Sequence, residues 1–257
     1  SVRMLAAQFS VSAMPAREAI RRLVALGALE MTATRRIMIA RMTPDRIDEL
    51  TEARTLLEPR LAARAFDRTE GRPRARAALV SRLSAIDKRL DEAIADGDVA
   101  AYSKTNSDFH FTLYEAAKAP VLLGVVESLW LQTGPFMRVV VSRLGTSTLV
   151  DQHKEAIDAL EAGDREKLQT ALGLDIIEGM QRIGDAGAEV ERVAAPVAVA
   201  VGAGGPGAPP GREAERRAVF ARRERSEVEA HGEGHVEGHV GGTVAIAIGR
   251  LTTDQER

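Results

Sequence analysis

Leu5-Ala6-Ala7-Gln8-Phe9-Ser10-Val11-Ser12-Ala13-Met14-Pro15-Ala16-Arg17-Glu18-Ala19-Ile20-Arg21-Arg22-Leu23 decides the fold. Residues 1–9 read as a short helix, and Ser10-Val11-Ser12 reads as a tight turn. A second helix follows to about Leu26, with Ser12 as N-cap, Pro15 in its first turn and Gly27 as its C-terminal stop. Two short helices about a tight turn, the second with arginines on its exposed side, predict a helix-turn-helix. Such a unit lays its second helix in the DNA major groove.

The next residues extend this head. Leu29-Glu30-Met31-Thr32 and Ile37-Met38-Ile39-Ala40 flank the basic tip Ala33-Thr34-Arg35-Arg36, which predicts a β-hairpin wing. Charge supports the same division of labour. The 257 residues carry a formal net charge of -2, yet residues 1–41 hold seven arginines against Glu18 and Glu30, a local balance of +5. A basic head on a near-neutral body suits a DNA contact confined to one module. The absence of cysteine excludes a disulfide scaffold, a zinc ribbon and a cysteine nucleophile. No apolar run approaches the roughly 20 residues of a membrane span, and no leader is visible, so a cytoplasmic protein without membrane contact is expected.

From Thr43 the pattern changes to long amphipathic helices. Thr43-Pro44-Asp45 supplies a cap, an N1 proline and an early acid, and Leu50, Ala53, Leu57 and Leu61 recur at helical spacing. Further helices are expected over about 73–96, 98–118, 120–144, 148–162 and 164–183. Short connections between long helices imply an antiparallel bundle of about six helices. After about residue 186 the composition turns to Ala, Val, Gly and Pro without helical period, and a disordered tail is expected. Its histidines 231, 235 and 239 lie four apart, but the intervening glycines oppose a stable metal-binding helix.

The head resembles the GntR family of bacterial transcription regulators. Their pattern Leu-Ala … Val-Ser-x-x-Pro-x-Arg-Glu-Ala-Leu-x-x-Leu-x-x-x-Gly-Leu appears here from Leu5-Ala6 through Val11-Ser12, Pro15, Arg17-Glu18-Ala19-Ile20 and Leu23 to Gly27-Ala28-Leu29. The resemblance implies a winged helix-turn-helix over 1–42 in which Arg3, Ser12, Met14, Arg17, Arg35 and Arg36 meet DNA. Ser12 can offer its hydroxyl to a phosphate or base edge at the helix N-terminus. Arg17, one turn in, can reach a guanine in bidentate fashion. Arg21 and Arg22 read equally as phosphate contacts or as a solvated face. Many relatives carry Arg-Thr where this chain has Ala13-Met14, which implies a different operator. The family also places a helix before Arg3, and the sequence starts too late to include it.

Residues 43–185 resemble the FCD-type helical effector domain of the FadR subfamily. The resemblance rests on Glu52-Ala53-Arg54-Thr55-Leu56-Leu57-Glu58, on Asn106-Ser107-Asp108-Phe109-His110-Phe111-Thr112-Leu113-Tyr114, and on His153-Lys154-Glu155-Ala156-Ile157-Asp158-Ala159-Leu160-Glu161-Ala162-Gly163-Asp164. Many such domains hold a divalent metal with an acid and a histidine four residues apart plus two later histidines. Here these positions fall on Asn106, His110, His153 and Asp175. One carboxylate and two imidazoles make an acceptable set for Zn, Ni or Mn, with the Asn106 amide a weaker ligand. Direct effector contact by these groups is the alternative.

Arg54 is the natural partner for a carboxylate effector, with Arg138 a second candidate. A surface ion pair between Arg54 and Glu58 explains the same residue equally well. Trp130 and Tyr114 read as core. The whole predicts a mainly α, homodimeric, effector-controlled DNA-binding regulator and not an enzyme: its rival, a helical metalloenzyme using Asn106/His110/His153/Asp175, would leave the basic head without purpose.

Overall fold

The computed structural model describes residues 2, 6–7, 10–33, 36–144 and 151–186, with side chains given up to residue 137 and again from 151. Arg3, Arg35, the Arg138 side chain and the residues 187–257 expected to form a tail lie outside the described residues.

The head is built as the sequence predicts. Val2, Ala6 and Ala7 are helical. The turn is closed by Val11 N–H donating to the Ala6 carbonyl at 2.9 Å, with Ser10 in the left-handed region at φ 54°. Helix α1 (Ala13–Ala25) buries Ala16, Ala19, Ile20 and Leu23 on one face. It ends where Gly27 takes φ 74°, and Ala28 N–H returns to the Leu23 carbonyl at 3.0 Å. A positive φ at this place is what glycine supplies without a Cβ penalty. Strands β1 (Leu29–Met31) and β2 (Ile37–Ile39) pair antiparallel, with Leu29 opposite Ile39 and Met31 opposite Ile37.

Six helices follow: α2 (Pro44–Thr69), α3 (Pro73–Ala95), α4 (Val99–Ala116), α5 (Pro120–Leu144), α6 (Gln152–Ala162) and α7 (Arg165–Asp185). Their starts are chemically marked. Thr43, Asp98, Asp151 and Asp164 each accept a backbone N–H of the first turn through the side chain, which satisfies groups a helix end would otherwise leave unpaired. Helix α6 begins at Gln152, several residues later than expected, because Asp151 is its cap.

Helix α2 packs along α7, α3 along α4, and α6 along both α3 and α7. Leu61, Leu83, Phe109, Leu113, Tyr114, Leu160, Leu168 and Leu172 form the centre of the main core. A second core joins head to bundle: Ile39 of β2 and Met42 meet Leu50 of α2, Phe136 of α5, and Ile176, Met180 and Ile183 of α7. The wing base is therefore seated on one end of the bundle.

Candidate metal centre and nucleic-acid interface

Helix α4 carries Asn106, His110 and Tyr114 at four-residue spacing, so all three share one face. The inward part of this face is buried: Tyr114 is fully enclosed and His110 is 1% exposed. Helix α6 presents His153 and helix α7 presents Asp175 to the same place. His110 Nε2 lies 3.2 Å from His153 Nε2 and 3.2 Å from Asp175 Oδ2, while His153 Nε2 lies 3.7 Å from Asp175 Oδ1. Ligands bound at about 2.0–2.2 Å around one tetrahedral ion stand about 3.3–3.6 Å apart. Three of the four expected groups thus have separations close to these and the chemistry that fits a divalent cation. Asn106 is half-buried one turn ahead of His110.

The surroundings prepare these groups. Burial pushes the Asp175 carboxyl up, but hydrogen bonding with His110 and the nearby His153 and Arg54 outweigh it and hold the group at about 2. Burial holds His153 down at about 4, so its ring is neutral near neutral pH. A neutral imidazole and an ionised carboxylate are the forms that bind metals. Phe109 stacks on the His153 ring at 4.1 Å between centroids, which fixes its plane.

Beneath the cluster lies a buried carboxylate. Glu58 accepts from Arg54 Nε at 2.6 Å, from Tyr114 Oη at 2.7 Å and from Trp130 Nε1 at 3.0 Å. The ion pair read from the sequence as a surface alternative for Arg54 does form, but it is enclosed in the protein, with Arg54 5% and Glu58 0% exposed. The spacing of four residues specified the pair; what placed it inside is the packing of α2 against α4, α5 and α7. Arg54 gives Nη1 only the Met180 thioether, a weak acceptor, and lies 4.9 Å over the Trp130 ring. Tyr114 and Trp130, read as core, also tie the site together through Glu58. Glu58 had one signal in the sequence, its spacing from Arg54. Asp87, which stands 3.8 Å from His153 Nδ1, had none.

On the head, the expected readers within the described residues face outward. Ser12 is the exposed N-cap of α1 and makes no side-chain capping bond, so its hydroxyl is not committed to the helix. Met14 is 71% exposed and Arg17 is exposed one turn along. Arg36 is exposed at the wing tip, where its N–H donates to Thr32 Oγ1 at 3.0 Å. Arg21 and Arg22 are exposed too, and Arg21 lies 3.7 Å from Glu18.

Among the described residues, no helix is long and apolar enough to cross a membrane. Residues 1–39 match the family model for bacterial regulatory proteins of the gntR family, and residues 49–176 match that of the FCD domain. The HTH-type transcriptional regulator McbR of Escherichia coli is 26% identical over 165 residues, 63% of this chain and 72% of that protein. A probable D-xylose utilization operon transcriptional repressor of Paenarthrobacter nicotinovorans is 27% identical over 171 residues, 65% of this chain and 71% of that protein. In fold, the chain is similar to the solved structure of E. coli McbR/YncC (TM-score 0.63, 22% identity, 72% of this chain and 85% of that one). It is also similar to a GntR regulator structure from Rhodococcus sp. RHA1 (TM-score 0.57, 21% identity, 72% and 86%). These relatives are transcription regulators, and the metalloenzyme alternative falls with them. A gntR-type winged head joined to an FCD helical domain makes this chain a member of the GntR family of bacterial transcription regulators.

Proposed function

We propose that this regulator reads a palindromic operator as a cytoplasmic homodimer and responds to a small organic acid through a divalent metal. The convergence of His110, His153 and Asp175, from three helices, onto ligand-like separations carries the metal reading. His110, His153 and Asp175 would hold the ion, and Asn106 would add its amide oxygen. Zn, Ni and Mn all suit two imidazoles and a carboxylate. The ion would supply a positive charge to which the effector's carboxylate binds. Arg54 would face the same anion with the N–H groups that Glu58 does not use, and Arg138 is the second candidate.

On the DNA side, α1 would enter the major groove with Ser12, Met14 and Arg17 toward base edges, while Arg3, Arg35 and Arg36 would hold the backbone or minor groove. The domains are proposed as 1–42, 43–185 and a tail from 186. Repression relieved by the effector is the proposed mode; it requires that the effector bind one arrangement of the two heads better than the other.

Metal analysis and native mass spectrometry of the purified protein test this together. One divalent ion per chain is expected, and it should be lost in the His110→Ala/His153→Ala double variant. Unchanged metal content in that variant would place the ion elsewhere.

A further inference from the structure

Each ligating histidine has two ring nitrogens, and the one facing away from a metal fixes which tautomer the ring adopts. At His110 that nitrogen is accounted for. Tyr114 has one hydroxyl proton and gives it to Glu58 at 2.7 Å. Its oxygen must therefore accept at His110 Nδ1, 3.0 Å away. His110 therefore carries a proton on Nδ1, which leaves Nε2 as the nitrogen that would meet a cation.

The same reasoning applies to His153, whose Nε2 stands 3.2 Å from that of His110. Its other nitrogen, Nδ1, faces Asp87 Oδ1 at 3.8 Å, too far for a hydrogen bond. Asp87 is 4% exposed and its Oδ1 has no hydrogen-bond partner among the described residues. A buried acceptor left unpaired costs free energy and calls for an explanation.

We infer that Asp87 is the positioning carboxylate of His153, which accepts the Nδ1 proton once a divalent cation takes the Nε2 lone pair. The inference rests on the metal reading above. A cation held by both histidines would require the Nε2 lone pair of each ring, and a neutral His153 would then carry its proton on Nδ1, toward Asp87. Stacking on Phe109 holds the ring plane in which this nitrogen faces the carboxylate.

The other acid near Nδ1 is already engaged. Asp151 caps α6 through Oδ1 and takes the Lys154 ammonium through Oδ2. Lys154 also lies 3.1 Å from Asp91 and 3.9 Å from Asp87 Oδ2. That ammonium supplies the cation this acidic group needs, which argues against a second metal there and leaves Asp87 Oδ1 as the acceptor.

The test uses the full chain, treated with chelator and then titrated with Zn²⁺. In two-dimensional ¹H–¹⁵N spectra of the imidazoles, His153 should carry its proton on Nδ1 once zinc is bound. Asp87→Asn should weaken zinc binding about 10–100-fold, because an amide can donate to the Nδ1 lone pair and so holds the wrong tautomer. Asp87→Glu should restore part of the loss. Circular dichroism confirms that the variants fold, and the wild-type tautomer readout needs no variant. A wild-type protein that binds no zinc overturns the metal reading and this inference together. Zinc bound equally tightly by Asp87→Asn, or a zinc-bound His153 with its proton on Nε2, overturns this inference alone.

Discussion

Arg46 Nη2 donates to the Gly27 carbonyl at 2.6 Å, which ties the start of α2 to the end of the recognition helix. The same nitrogen donates to Gln132 Oε1 at 2.6 Å, and Gln132 lies on α5 two residues beyond Trp130. Trp130 reaches Glu58 beneath the histidine cluster. The head and the candidate effector site thus both contact helix α5, the head through the half-buried Arg46 and the site through Trp130. Arg46→Ala should leave metal content unchanged while reducing the effect of metal and effector on operator affinity. Such coupling is typically about 1–3 kcal/mol, so a shift of up to roughly 150-fold in the parent should shrink. Fluorescence anisotropy with operator DNA, with and without metal and effector, reads it; an undiminished shift would remove Arg46 from the coupling.

Arg17 and Arg21 sit one turn apart on α1 and should behave differently. Arg17 is placed to read a base, and Arg17→Ala should cost about 1–3 kcal/mol on the operator but much less on random duplex. Arg21 is 3.7 Å from Glu18, and Arg21→Ala should lower both affinities alike and reduce the salt slope by about one. Salt titrations on both duplexes separate the two. Equal losses on both duplexes for Arg17→Ala would make it a phosphate contact.

Glu58 accepts from three donors, two of them buried, so removing it should destabilise the fold much more than removing a surface ion pair would. Glu58→Ala leaves the Arg54 guanidinium enclosed without its counter-charge, at a cost of about 3–5 kcal/mol. Replacing both partners by apolar residues, Arg54→Met with Glu58→Leu, should recover much of that stability while losing the effector response. Urea denaturation measures the first effect. A loss below 1 kcal/mol for Glu58→Ala would mean that water compensates Arg54.

The sequence carried the head almost whole, because caps, turn glycine and periodicity act locally: Ser12, Gly27, Thr43 and Asp164 each mark a boundary through their own backbone chemistry. It also carried the spacing of Asn106, His110 and Tyr114, since four residues on a helix fix a shared face. Glu58 and Asp87 were not legible as members of the site. Both lie on helices whose register against α4 and α6 is set by packing among residues far apart in the chain, and no local pattern encodes that. The Arg54–Glu58 pair shows the limit within a single helix: the spacing named the partners, and only the packing of α4, α5 and α7 around them determined that they are buried.

Two buried groups on either side of a 3.8 Å gap should give stability an unusual pH profile. Burial holds His153 at about 4, below its ordinary 6.5, so the unfolded chain takes up a proton that the folded one refuses. That contribution is a loss of stability as pH falls from 6.5 to 4. Asp87 has the opposite sign: burial, aided by Asp151, pushes it up to about 6, so the folded state keeps a proton that the unfolded one has released, and stability falls as pH rises from 3.8 to 6. In metal-free wild-type protein the two slopes oppose one another over pH 4–6. Asp87→Asn removes one of them, and its stability should climb with pH across this range, by up to about 3 kcal/mol if His153 acts alone. Urea midpoints at half-unit pH steps for both proteins check this. Parallel profiles for the two would mean that Asp87 and His153 do not titrate as this burial requires.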